Sequence, residues 1–178
     1  MGIKTIDQKI KDRIDNIINS GFAIVVGDAD GADCAIQSYL LSKNAIDVTI
    51  YCSGLNARNN VGGWPVKTIE TKHTEGSRQF FTAKDLAMAD IADYGLMIWD
   101  NKSTGTLSNV IELLAREKKS LVFVNKEKNF SAISSVEHLE ILIGNMSDFS
   151  QKKADKKIGV NKRISAMKIQ GGQARMFA

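Results

Sequence analysis

Residues 22–33 read Phe22-Ala23-Ile24-Val25-Val26-Gly27-Asp28-Ala29-Asp30-Gly31-Ala32-Asp33, and this stretch indicates the fold class. Its first five residues are continuously apolar, which is typical of a strand buried on both faces. The remaining seven combine two glycines with three aspartates and predict a turn. Residues 34–43 then show the apolar spacing of a helix. A buried strand, a turn and a helix in this order are the repeating unit of α/β proteins.

The same order of elements returns along the chain. Further strands are predicted at 47–51, 66–69, 94–99 and 121–124, and helices at 5–19, 77–92, 106–117 and 136–143. Strands that alternate with helices pair in parallel through right-handed crossovers. We therefore predict an α/β, Rossmann-like three-layer sandwich with a mainly parallel sheet over residues 1–145, followed by a basic C-terminal tail or helix over residues 146–178.

Charge is unevenly distributed. The net charge is +4, yet residues 151–178 contain eight Lys and Arg against one acid, a local charge of +7, so residues 1–150 carry −3 (4 minus 7). The predicted tail is either a basic amphipathic helix that docks on a partner or a flexible arm attracted to nucleic acid. Phe177 is the only aromatic residue after Phe149, so base stacking gives the nucleic-acid hypothesis little support.

Composition argues against a membrane protein. No apolar run approaches the roughly 18–20 residues that a spanning helix needs, and residues 1–15 are charged and amphipathic, unlike an apolar secretory signal. We expect a cytoplasmic protein without a membrane partner. Cys34 and Cys52 lack metal-ligand spacing and are expected to be free thiols, so we predict no metal site and no cofactor.

The turn after the first strand is the first candidate ligand site. Glycines allow a ligand to approach the backbone closely, and the start of the following helix offers free amide groups to an anion. Asp33 could bind a ribose hydroxyl, and the simpler alternative is that it caps the helix. The predicted ligand-binding residues of this turn are Gly27, Asp28, Asp30, Gly31 and Asp33.

A second turn, residues 100–106, also lies between a strand and a helix. Its hydroxyls beside a glycine suit phosphate oxygens, although Ser and Thr are also common helix caps. Arg78, at the start of another helix, could bind phosphate with its forked donors or lie free on the surface. The predicted ligand-binding residues here are Ser103, Thr104, Gly105 and Thr106, which with Arg78 and the first turn are expected to form one anion-binding crevice.

Three segments together resemble the SLOG superfamily, which includes the LONELY GUY phosphoribohydrolases. Residues 27–33, GDADGAD, are similar to its GGARGAD motif, residues 76–93 to its arginine helix, and residues 103–106, STGT, to its glycine-threonine turn. The resemblance implies a Rossmann-like domain that binds a nucleotide or a nucleotide-derived phosphorylated ligand as a sensor, carrier or regulatory module. It also implies a homo-oligomer.

Two departures from that family weaken the case for catalysis. The glutamate that assists cleavage of the N-glycosidic bond is replaced by Asn109, which cannot act as a general base. The family's Arg-Lys pair is Arg78-Gln79 here, so one phosphate-binding cation is missing. We predict binding, with N-glycosidic hydrolysis as the alternative, for which Arg78 and Glu112 are the catalytic candidates.

Two other enzyme classes remain open. A nucleoside deoxyribosyltransferase-like enzyme would share the fold and need a carboxylate nucleophile, for which Asp28, Asp30 and Glu112 are candidates. The DADG segment at residues 28–31 also resembles DHH-type phosphoesterases, but that family needs an Asp-His-His run, and the chain's two histidines, His73 and His138, form none.

Overall fold

The computed structural model describes the backbone of residues 5–176 and the side chains through residue 170. Its chain divides into two compact units, Met1–Ala92 and Asp93–Ala178. Each unit combines helices with one three-stranded sheet. The predicted α/β class is therefore confirmed, while the strands form two small sheets where the sequence predicted one.

The first unit contains three helices and three parallel strands. In chain order these are α1 (Gln8–Asn19), β1 (Ile24–Gly27), α2 (Ala32–Ser42), β2 (Val48–Ser53), β3 (Val66–Ile69) and α3 (Arg78–Ile91). The strand order is β1-β2-β3, with Val26 opposite Ile50 and Ile50 opposite Val66. Because all three strands run in the same direction, their carboxyl ends share one edge of the sheet.

Helical periodicity explains how α1 packs. Ile10 and Ile14 lie four residues apart and are almost completely buried, as expected for one face of an amphipathic helix. The Asp7 carboxylate accepts a hydrogen bond from the Lys9 amide at 3.1 Å and caps the helix start. Gly21, with φ of 70°, follows the last turn in the left-handed conformation that commonly ends helices.

The second unit has a mixed sheet and four helices. In chain order these are β4 (Tyr94–Trp99), α4 (Thr104–Ala115), β5 (Lys119–Val124), β6 (Asn129–Ile133), α5 (Val136–Gly144), α6 (Asp148–Ile158) and α7 (Val160–Met176). The strand order is β4-β5-β6, in which β4 and β5 are parallel and β5 and β6 antiparallel. The sequence did not predict β6.

Residues after 145 contribute to the core of the second unit. Ala154 of α6 and Val160 of α7 are buried in the same apolar cluster as Trp99, Leu107 and Leu139. The segment that was expected to be a tail or helix is helical in its described part. Within residues 5–176, no helix has both the length and the apolarity that crossing a membrane requires.

Candidate ligand-binding site

Three segments meet at the carboxyl edge of the first unit's sheet. They are residues 27–33 after β1, residues 53–59 after β2, and the N-terminal half of α3. A Cβ atom at Gly54 would lie 2.8 Å from the Phe80 ring, and the Lys84 amide donates to the Ser53 hydroxyl at 3.2 Å. These contacts hold the start of α3 beside the ends of the strands, where open α/β sheets bind their ligands.

Asp28 is the most heavily bonded residue of the first turn. It is 2 % exposed, and the Arg58 guanidinium donates to both carboxylate oxygens, Nη2 to Oδ1 at 2.7 Å and Nε to Oδ2 at 3.1 Å. The Arg58 backbone amide donates to Oδ2 at 3.1 Å. Burial acts to raise the pKa of Asp28, but the hydrogen bonds from Arg58 outweigh it, and the pKa lies below its ordinary value.

Lys84 is a second cation beside the turn at residues 27–33. The residue is 4 % exposed, and its ammonium nitrogen lies 2.9 Å from Asp85 Oδ1, 3.7 Å from Asp28 Oδ1 and 3.8 Å from Asp33 Oδ2. Burial acts to lower the pKa of Lys84, but the carboxylates outweigh it and raise the pKa above its ordinary value. Lys84 is therefore a charged ammonium group inside the first unit.

The two aspartates that share Lys84 differ in their pKa shifts. Burial raises the pKa of Asp33, and neither the Lys84 charge nor the hydrogen bond from the Ala29 amide (3.0 Å) cancels that effect. The pKa of Asp28 is lowered instead, because Arg58 donates to it directly. Carboxyl groups whose pKa values move in opposite directions are typical of acid and base pairs in active sites.

Two glycines allow the turn to close over this cluster. A Cβ atom at Gly27 would overlap both the Asp33 carboxylate and the Lys84 ammonium group. Gly31 has a φ of 89°, which residues with a side chain rarely adopt. The structure thus gives both glycines a role in packing the turn, while their contact with a ligand stays a prediction.

The start of α2 differs from the other described helix starts. Its N-cap residue is Gly31, which provides no side-chain hydrogen bond, so the first amide groups lack a side-chain acceptor at the cap. Five other helices have an N-cap side chain that accepts a hydrogen bond from a backbone amide of the first turn; these caps are Asp7, Ser77, Ser103, Ser135 and Ser147. Amides without a side-chain cap, together with the helix dipole, favour an anion at this position.

Asp30 and Arg78 are the exposed charged residues among the predicted ligands in this unit. Both side chains are exposed. Asp30 accepts a hydrogen bond from the Asn59 amide at 3.0 Å, and the same amide group donates to the Asp28 carbonyl oxygen at 2.9 Å. Arg78 is the first residue of α3, directly after its N-cap Ser77. The structure thus leaves both side chains accessible to a ligand.

The second predicted turn lies in the other unit. Ser103 Oγ accepts from the Thr106 amide at 3.5 Å and lies 3.3 Å from Thr106 Oγ1, and Asp100 accepts from the Ser103 amide at 2.6 Å. These bonds cap α4 and engage two of the four predicted phosphate ligands. Thr104 is half-buried and Gly105 exposed. A crevice formed by both turns stays a prediction.

Glu112 is bound by two arginines of its own unit. Arg116 Nη1 donates to Oε2 at 2.6 Å, and Arg163 donates to the other carboxylate oxygen. Both carboxylate oxygens therefore already accept hydrogen bonds from cations of the same unit. Asn109, at the position of the family's glutamate, is half-buried on the same helix. The geometry therefore gives Glu112 a structural contact with α7.

Gly105 provides a test of the second turn. A Cβ atom there would have only Ser103 Oγ nearby, at 3.9 Å, so we expect Gly105→Ala to keep the fold and raise the free energy of unfolding by up to about 1 kcal/mol through helix propensity. Urea denaturation measures this gain. A loss of stability would contradict the open space seen beside Gly105.

The sequence analysis missed Arg58 and Lys84, the two cations at the centre of this site. Of the two, only Lys84 could have been recognised from the sequence, because it lies four residues after Phe80 on the buried face of α3.

Comparisons with known proteins identify no family for this chain. No protein-family model matches the chain, and neither the curated proteins nor the solved structures contain a significant match.

Proposed function

We propose that the first unit binds a nucleotide or a nucleotide-derived phosphorylated ligand at the carboxyl edge of β1 and β2. The observation that supports this most directly is the start of α2, which follows a glycine without a side-chain cap at a strand end. Phosphate groups bind at such positions because the amide donors and the helix dipole both favour negative charge.

The charged residues divide into two roles under this proposal. Asp28 pairs with Arg58 and Lys84 and fixes the turn, because these bonds are already made within the protein. Asp30 and Arg78 are exposed and contact the ligand. Asp30 accepts hydrogen bonds from ribose hydroxyls, and Arg78 donates to the phosphate.

We propose a Rossmann-like, SLOG-type domain as the finer description of this fold. The parallel β1–α2–β2 arrangement, with the GDADGAD turn at the strand end, supports it. A binding protein of this type acts as a sensor, carrier or regulatory module. A cytoplasmic location and a homo-oligomeric state stay predictions.

Arg78→Ala tests the binding site. A thermal-shift and mass-spectrometric screen against nucleoside mono-, di- and cyclic phosphates first selects the tightest ligand. For that nucleotide we expect Arg78→Ala to weaken binding about ten- to hundredfold in titration calorimetry, as for a charge-assisted hydrogen bond, with an unchanged melting temperature because the side chain is exposed.

Two matched variants sharpen this experiment. Lys67→Ala removes an exposed cation on β3 and should leave affinity unchanged. Asp30→Asn should weaken binding of the ribonucleotide more than binding of its 2′,3′-dideoxy analogue, because only the former offers ribose hydroxyls. The proposal fails if no nucleotide in the screen binds, or if Arg78→Ala and Lys67→Ala have the same effect.

N-glycosidic hydrolysis or transfer is the second candidate function. The raised pKa of Asp33 and the lowered pKa of Asp28 favour it, since both carboxylates lie within 4 Å of the same Lys84 nitrogen. Such an enzyme would release free base from the bound nucleotide or nucleoside. The mass-spectrometric screen detects that base directly, and an intact ligand after prolonged incubation excludes this activity for the compounds tested.

A further inference from the structure

Helix α6 presents a basic face to solvent. Lys152, Lys153, Lys156 and Lys157 are all exposed. With successive residues about 100° apart around a helix, the four lysines lie within an arc of about 140°. Ala154, at 1 % exposure, lies outside that arc and packs in the core of the second unit. The lysines therefore form one continuous surface opposite the buried side of the helix.

The lysine charges on this face are uncompensated. Among the side chains that the structure describes, none of the four lysines forms an ion pair or a side-chain hydrogen bond. The acidic residue at the middle of the helix, Asp155, lies outside the arc and accepts a hydrogen bond from the Asn161 amide at 2.8 Å at the start of α7. A surface with four unpaired positive charges attracts a polyanion.

Phe149 lies at the centre of the same arc. It precedes Lys152 and Lys153 by three and four residues, which are the spacings of neighbours on one helix face. Its side chain is 76 % exposed. An aromatic ring surrounded by lysines offers a flat apolar surface together with phosphate-binding charges, which is the combination found in proteins that bind single-stranded nucleic acid.

We propose that the face of α6 formed by Phe149 and the four lysines binds single-stranded nucleic acid, with the ring stacking on an unpaired base and the lysines contacting the phosphates. Duplex offers the phosphates but no unpaired base. A lipid surface fits less well, because membrane-binding helices bury a broad apolar face, and the small apolar side chain of Ala154 faces the core. This inference is independent of the nucleotide site.

Fluorescence anisotropy with a labelled 20-nucleotide oligothymidylate tests the proposal on the full chain. We expect Phe149→Ala to weaken binding of the single strand about fivefold or more and binding of a 20-base-pair duplex less than twofold. Phe149→Trp should restore binding, and its exposed indole should be quenched by the stacked base. Equal effects of Phe149→Ala on single strand and duplex would overturn the stacking role.

Salt dependence tests the lysines. Each phosphate that a lysine neutralises contributes about −0.7 to the slope of log K against log salt for a single strand. Lys153→Gln with Lys156→Gln should therefore make the slope shallower by about 1.4 units. The charge-matched control, Lys67→Gln with Lys126→Gln, changes two exposed lysines elsewhere and should leave the slope unchanged.

Two results would overturn the binding surface as a whole. One is an equal loss of affinity in the control and the α6 double variant, which would indicate only a non-specific response to net charge. The other is Phe149-dependent binding to vesicles of phosphatidylserine and phosphatidylcholine with no binding of the oligonucleotide. Circular dichroism of each variant checks that α6 is retained. We expect it to be retained because all substituted residues are exposed.

Discussion

Asp28→Asn is expected to lower the free energy of unfolding of the first unit by about 3 kcal/mol at pH 7, as when one partner of a buried ion pair is removed. The substitution keeps the shape of a side chain that is 2 % exposed while removing its charge. Arg58 and Lys84 then lose a carboxylate that each approaches within 4 Å. Urea denaturation followed by circular dichroism measures the loss.

The pH dependence of this loss has a defined sign. The pKa of Asp28 lies below its ordinary value of 3.8, so its carboxylate stabilises the folded unit above that pH and loses the effect as the pH falls through the folded pKa. The deficit of Asp28→Asn should shrink between pH 5 and pH 2. Asp30→Asn, the same change at an exposed position, should cost less than about 0.5 kcal/mol. A deficit that does not vary with pH would contradict the ion pairing.

Lys84→Met should lower the free energy of unfolding by about 3–5 kcal/mol at pH 7, which is at least as much as Asp28→Asn. The variant keeps the aliphatic stem but leaves three carboxylates around a buried position without their shared cation. The pKa of Asp33 is raised by burial and held down in part by Lys84, so removing the ammonium group raises that pKa further. At pH values between the ordinary pKa and the raised pKa, Asp33 binds a proton in the folded state that it does not bind in the unfolded state. The free energy of unfolding therefore falls as the pH rises through this range.

Lys84→Met should therefore regain stability more steeply than the unsubstituted chain as the pH is lowered from 7 to 5. Carboxyl carbon chemical shifts in an NMR titration would show the upward shift of the Asp33 pKa directly. The control is Lys43→Met, which breaks an ion pair with Asp15 (2.8 Å) between two partly exposed side chains and should change stability little. Similar losses of unfolding free energy in the two variants would show that the buried ion pairs of Lys84 contribute no more than an exposed ion pair.

The sequence predicts the repeated elements of this fold well, because most are signalled by local patterns. Burial of Ile10 and Ile14 follows from helical spacing, and β1 follows from a continuous apolar run. β6 was missed because the turn before it, residues 125–128, contains neither Gly nor Pro. Lys128 instead takes a φ of 52° there. The absence of glycine and proline from this turn hid an antiparallel hairpin.

The candidate site was predicted only in part. Its glycines and aspartates are adjacent in sequence, so the turn could be recognised, whereas Lys84 and Arg58 reach it from segments about 50 and 30 residues away. A lysine side chain is expected at the surface. Lys84 is buried because three carboxylates, which come together only in the folded unit, lie within 4 Å of its ammonium nitrogen. The role given to Ser103 and Thr106 had two sequence interpretations, and the hydrogen bonds favour helix capping.

Phe149 shows a further limit of linear reasoning. The basic segment 151–178 contains only one aromatic residue, Phe177, which argued against stacking when residues were counted in order. Helix geometry places the ring, which precedes that segment, among the lysines. The start of α6 at Asp148 therefore had to be known before the aromatic residue could be assigned to the basic surface.

The chain contains two tryptophans, and the two compact units hold one each. Trp64 is 8 % exposed and donates its indole hydrogen to the Ala45 carbonyl oxygen at 2.8 Å, while Trp99 is 1 % exposed. Intrinsic emission consequently contains one buried fluorophore per unit. With Trp64→Phe or Trp99→Phe as the background, a red shift during denaturation reports on a single unit, and damage from any substitution can be assigned to the half of the chain in which it occurs.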